Sequence, residues 1–237
     1  MAKNVVVTGM GAVCSLGDNV EAIFAEAKKG TCGIDYATQF STDKITDVRF
    51  AAEVKDFDPS KYIKKREMKR LDRFSQFAIY AGMQAWDNSG LADFDPYRVG
   101  VIMGSGMGGL ITNCEQYDTM DHNGVNTVSS LFIPKTIINI APGNLAIRLG
   151  LNGPCYGVVT ACASGTDAVG QAFRLVKNGS LDAVLVGGAE GVVCDLAIQG
   201  FNQMQALSNA DSVDRASIPF DKDRGGFVMG EGAGILI

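Results

Sequence analysis

Short apolar runs alternate with helix-length amphipathic stretches along these 237 residues, and many of the 29 glycines stand at the joints. A buried strand reads as a short continuous apolar run. A helix laid against it carries apolar residues three and four apart. A chain in which the two alternate builds α/β layers, so the fold class expected is α/β. Strands are expected at residues 5–8, 48–54, 99–103, 157–161, 183–188, 226–229 and 234–237, with Gly9 and Gly11 forming a turn after the first. Helices are expected over residues 19–29, 68–89, 110–121, 139–149, 163–177 and 201–207. The 68–89 helix carries one stripe of Leu71, Phe74, Phe77, Ala78, Ala81 and Ala85, and Gly90 stops it. No internal repeat or low-complexity linker divides the chain.

Composition narrows the chemistry. Hydrophobic residues make up 46% and charged ones 20%, which suits a packed globular domain rather than a disordered or fibrous one. Lys and Arg number 21 against 26 Asp and Glu, a net charge of −5 that argues against a general nucleic-acid or anionic-membrane binder. No apolar run approaches the roughly 18 residues a membrane-crossing helix needs. The N-terminus enters a strand pattern with no signal peptide ahead of it, so a reducing, cytoplasmic setting is expected. The six cysteines have no C-x-x-C spacing, which supports neither a zinc site nor a disulfide framework. One histidine, His122, sits in the polar run Asp121-His122-Asn123-Gly124 and reads as an exposed loop residue. The run Ile235-Leu236-Ile237 has no polar tail, which reads as a core strand interrupted by the chain end.

Four features could carry function. Gly104, Gly106 and Gly109 follow a strand and precede a helix, which formally matches a dinucleotide fingerprint. The acidic residue that should follow is poorly placed, so the glycines read better as a loop that lets backbone approach an apolar pocket. Lys61 to Arg73 holds seven basic residues against Glu67 and Asp72, a local charge of +5 on an acidic chain. It reads either as a solvated helix start or as a docking patch for an acidic partner. Glu190, Asp221 and Glu231 lie beside glycines or in turn-like segments, and read as caps for backbone N–H groups rather than acid–base catalysts.

Cys162 is the sharpest signal. It stands where a buried strand turns into a helix, in Thr160-Ala161-Cys162-Ala163-Ser164-Gly165. A sharp strand-to-helix turn projects a nucleophile into a pocket, and the helix end favours a thiolate. Cys14, Cys32, Cys114, Cys155 and Cys194 read as small buried hydrophobes.

These residues resemble the β-ketoacyl-acyl carrier protein synthases, the elongating condensing enzymes of fatty-acid synthesis. The likeness runs through Val5-Val6-Val7-Thr8-Gly9-Met10-Gly11, Gly104 to Gly109, the Cys162 turn, Gly187-Gly188-Ala189-Glu190, Ala206-Leu207-Ser208 and Pro219 to Gly234. It implies a thiolase-like fold, of which this chain would be one half of an αβαβα layering: a mixed sheet with flanking helices, and residues 1–237 as the N-terminal domain. It implies that Cys162 accepts the acyl chain as a thioester and that its N–H serves as one oxyanion donor. Met107 and Phe201 would line the acyl pocket, with Phe132 and Ile133 reaching it across a homodimer interface. Lys64, Lys65, Lys69 and Arg70 would dock the acyl carrier protein. No cofactor or metal is implied. The paired histidines of malonyl decarboxylation would lie outside these residues, so condensation by this chain alone is not expected. The alternative is a chain-length-factor-like partner subunit, which the presence of Cys162 disfavours.

Overall fold

The computed structural model describes residues 4–45 and 47–237. In chain order the elements are β1 (Met10–Val13), α1 (Val20–Lys29), β2 (Asp35–Tyr36), β3 (Phe50–Ala51), α2 (Lys65–Met68), α3 (Arg73–Asp87), β4 (Val99–Gly104) and α4 (Leu110–Asn123). There follow α5 (Phe132–Thr136), α6 (Ile140–Leu149), β5 (Cys155–Val158), α7 (Ser164–Lys177), β6 (Ala183–Glu190), α8 (Asp195–Gln203), α9 (Val213–Ala216) and β7 (Gly232–Leu236). Five strands make a mixed sheet in the order β1-β7-β6-β4-β5, and β2 pairs with β3 apart from it. β4 runs parallel to β5 and β6, while β7 runs antiparallel to β6 and β1.

Alternation along the strands sorts side chains onto two helical layers. Val99, Val101, Met103, Leu185 and Ile235 face one layer, where α3 contributes Phe74, Ala78, Ala81 and Ala85 and α6 contributes Leu145. Ile102, Val184 and Val186 face the other, against Ala168 and Ala172 of α7. The register pairs Val101 with Leu185 and Ile102 with Val186, so each cross-strand pair serves a single face. Phe74 and Phe77 are fully buried, and each such side chain contributes on the order of 1.5–3 kcal/mol.

Several boundaries differ from the sequence reading, each for a local reason. Residues 5–8 are not a buried strand: Val6 and Val7 are 68% and 58% exposed, and β1 begins only at Met10. Gly9 and Gly11 do not make a turn. They lie under α3, where a Cβ on Gly11 would overlap the Ala81 carbonyl oxygen, so glycine allows helix and strand to touch. α3 starts at Arg73 rather than residue 68 because Asp72 is extended and caps the Phe74 N–H at 3.3 Å. The strand expected over 48–54 is reduced to β3, and residues 226–229 make only an isolated bridge between Leu207 and Phe227. The helix expected over 201–207 is α8, which ends at Gln203 before Gln205 adopts a left-handed backbone. His122 closes α4 instead of lying in a loop; it remains exposed, with Nδ1 2.8 Å from the Asp118 carbonyl.

Arg73, counted in the basic run, turns inward. It donates to Glu231 from Nε at 2.7 Å and from Nη2 at 2.6 Å, and Glu231 also accepts from Val54 N at 2.9 Å and Gln39 Nε2 at 2.8 Å. One buried carboxylate thereby ties α3 to the loop before β7 and to the segment after β3.

Candidate active site

The turn between β5 and α7 is held tightly. Ser164, buried at the first position of α7, accepts from Thr160 N at 2.9 Å and donates to the Ala161 carbonyl at 2.6 Å. Ala163 N and Ser164 N donate to the carbonyls of Thr160 and Ala161. Inside this knot Ala161 adopts φ +50°, a left-handed conformation that costs a non-glycine residue roughly 1–3 kcal/mol. The result is a strand-to-helix elbow that carries Cys162 outward. Cys162 is exposed, and among the described residues its N–H has no acceptor.

The start of the helix behind the elbow sits close to the sheet because glycines meet there, Gly165 of α7 facing Gly188 of β6. A Cβ on Gly104, at the end of β4, would run into the Ser164 carbonyl group. Close approach at this point brings the start of α7 to the carboxyl ends of β4 and β6, and with it Cys162.

Cys162 opens on a cleft of about 740 Å³. Met107, Val192, Phe201, Phe227 and Met229 line it, a largely apolar wall. Phe201 and Phe227 meet edge to face with ring centroids 5.5 Å apart. A second cavity of about 650 Å³ lies between residues 4–8, the 89–95 loop and α7, and has no cysteine in its lining.

The structure thus brings Met107 and Phe201 to Cys162. Phe132 and Ile133 do not join them within the chain: both lie on α5, half-buried and exposed respectively, outside the cleft lining. Lys64, Lys65, Lys69 and Arg70 are exposed around α2, and among the described residues none forms an ion pair. Glu67, within the same run, is taken by Arg148, which leaves the surface charge of the stretch positive. Glu190 caps backbone N–H groups of the Gly104–Gly109 loop, as its position beside glycines suggested.

Val192, Phe227 and Met229 are wall residues that sequence reading did not single out. Their apolar character resembles that of any core residue, so the sequence carries no signal for them. The remaining cysteines are not buried: Cys32 and Cys155 are exposed, and Cys14, Cys114 and Cys194 are half-buried. Burial, with Cys194 alongside as the next cause, pushes the Cys114 thiol up to about 11.

Comparison with known proteins places this geometry. The family described as "Beta-ketoacyl synthase, N-terminal domain" matches residues 2–237. A 3-oxoacyl-[acyl-carrier-protein] synthase 2 of Staphylococcus aureus is 42% identical over 237 residues, covering 99% of this chain and 57% of that protein. The protein of the same name from Synechocystis is 42% identical over 238 residues, with the same coverage of 99% and 57%. This chain therefore spans a little over half the length of these curated relatives. Among solved structures, the ishigamide ketosynthase/chain length factor superposes with a TM-score of 0.90 at 30% identity, over 100% of this chain and 58% of that one. A β-ketoacyl synthase from Burkholderia phymatum superposes at 0.82 with 29% identity, over 98% and 57%. The mixed sheet with flanking helices is the thiolase-like ketosynthase arrangement that the sequence resemblance implied. Carrying the cysteine elbow and matching the family from residue 2 to residue 237, the chain belongs to the β-ketoacyl synthase family through its N-terminal domain.

Proposed function

We propose that Cys162 accepts an acyl group from acyl carrier protein, the first half-reaction of a 3-oxoacyl-[acyl-carrier-protein] synthase. The single observation that carries this reading is an exposed thiol, held on a strand-to-helix elbow, at the mouth of an apolar cleft. The Cys162 sulfur attacks the acyl carbonyl carbon and forms a new C–S bond. The carrier's C–S bond breaks, and the departing carrier thiol takes the proton that Cys162 gave up. Charge develops on the carbonyl oxygen, and the free N–H of Cys162 is a donor for it; one such donor contributes about 100- to 1000-fold in rate. The apolar cleft takes the aliphatic chain.

In the whole protein the thioester then condenses with malonyl-carrier protein after decarboxylation. His122, at the end of α4, is not among the residues lining the cleft and does not serve that step. Phe132 and Ile133 reach the acyl chain from a second copy of the chain. Exposed apolar side chains on and around α4 and α5 (Tyr117, Val125, Leu131, Ile133 and Ile137) support that association. A reducing compartment keeps such an exposed thiol free, which fits a cytoplasmic setting.

The test is intact-mass analysis after incubation with acyl-loaded carrier protein. The mass should rise by one acyl group, mapped to Cys162, and Cys162→Ala should stay unmodified. Acylation of another residue, or equal acylation of the alanine variant, overturns the reading.

A further inference from the structure

Glu190 ends β6 at the rim of the cleft, and acyl transfer gives it no proton to move. Its carboxylate is already committed. Oε1 accepts from Ser105 Oγ at 2.9 Å and from Met107 N at 3.4 Å, and Oε2 accepts from Gly106 N at 2.6 Å. Ser105 Oγ accepts in turn from Gly108 N at 3.0 Å. Three consecutive residues thus bond one side chain 84 residues away from Gly106, and Gly108 is held through Ser105. Hydrogen bonds to an ionised acceptor are roughly twice as strong as neutral ones, so this is a firm anchor. Gly106 is what lets the carboxylate approach: a Cβ there would stand 2.9 Å from Oε2. Met107, in the middle of the anchored loop, lines the cleft beside Cys162. Its thioether side chain adapts to the space it meets, and the anchored backbone sets where its reach begins.

We infer that Glu190 is a positioning residue for the aliphatic chain. By fixing the backbone of residues 105–108 it fixes Met107, and through Met107 it sets how long a straight chain fits beside Cys162. The inference rests on the reading of the cleft as an acyl pocket, but it touches no reacting atom and can be read without carrier protein.

The experiment measures alkylation of Cys162 by iodoacetamide and by N-octyl and N-dodecyl iodoacetamide, and takes the ratio of long-chain to short-chain rates. Glu190→Ala should shift that ratio by about tenfold, the scale on which a pocket resolves a misfit of one methylene. Met107→Ala should shift it too, and the double variant should move no further, because the two residues act in series. Glu190→Gln, which keeps an acceptor oxygen, should shift it less and serves should the alanine variant fail to fold. Amide hydrogen exchange at residues 106–108 should quicken in both Glu190 variants. Rates that fall together for all three reagents, or shifts that add in the double variant, overturn the inference. A shifted ratio in a protein that takes no acyl group from carrier protein would overturn the acyl-transfer reading while leaving Glu190 as the anchor.

Discussion

Access and proton affinity decide which of the six thiols an electrophile meets, because the thiolate is the reacting form. Cys162 is exposed on its elbow, whereas Cys114 is half-buried with its thiol pushed up to about 11. At pH 8 a thiol with that affinity is ionised in only about one molecule in a thousand. Brief iodoacetamide treatment near neutral pH, followed by peptide mapping, should therefore label Cys162 well before Cys114. Labelling of Cys114 should quicken about tenfold per pH unit until the pH nears 11. The sign for stability follows from the same shift. An unfolded Cys114 releases its proton near 9.0 and the folded one only near 11. Its contribution is whole below pH 9.0 and fades as the pH climbs from there toward 11. Equal labelling of the two cysteines at neutral pH would remove the kinetic basis for naming Cys162 the nucleophile.

Two glycines on facing elements separate close packing from mere flexibility. Gly104 closes β4 directly beneath the start of α7, and a methyl group there meets the Ser164 backbone. The atoms it meets are backbone and cannot swing aside as a side chain would, so Gly104→Ala should lift the start of α7 and carry Cys162 with it. Overpacking of this kind costs about 1–3 kcal/mol. Gly170, inside α7, has nothing within 4 Å of its would-be Cβ. There glycine only adds unfolded-state freedom, so Gly170→Ala should stabilise by about 0.5–1 kcal/mol. Urea unfolding of the two variants checks the opposite signs, and slower Cys162 alkylation in Gly104→Ala checks the displacement. A stable Gly104→Ala protein with unchanged alkylation would mean that the elbow does not depend on this contact.

Charge is the property that belongs to the molecule as a whole. The net charge is −5, yet Lys64, Lys65, Lys69 and Arg70 form an exposed basic surface around α2. A positive patch on an acidic protein steers an acidic partner to one face, and its own net charge keeps other acidic proteins away. Changing Lys64, Lys65 and Arg70 together to Glu should weaken binding of acyl carrier protein, mostly through the association rate. Binding by the unaltered chain should weaken with added salt, since exposed charges are screened over about 10 Å at 0.1 M. Surface plasmon resonance at two salt concentrations measures both. Equal affinity of the triple variant at low salt would show that docking lies elsewhere.

The amino-acid order by itself determined what depends on near neighbours. The short apolar run from Val99 to Met103 marked β4, and the stripe at Phe74, Phe77, Ala78, Ala81 and Ala85 marked α3. The cysteine between an apolar run and a helix marked the elbow, since strand, turn and helix lie within a few residues of it. Tertiary structure decided whatever depends on contacts distant in sequence. Glycine looks the same whether it turns a chain or lets two backbones touch, so only the packing of α3 on β1 showed which task Gly9 and Gly11 perform. Arg73 looks like one more surface cation until the fold brings Glu231 to it from 158 residues away. Val192, Phe227 and Met229 become a cleft wall only when the loop before β7 meets the end of β6. Local propensity acts over a turn or two of chain, whereas burial, pairing and cavity shape are set by which segments the sheet order brings side by side.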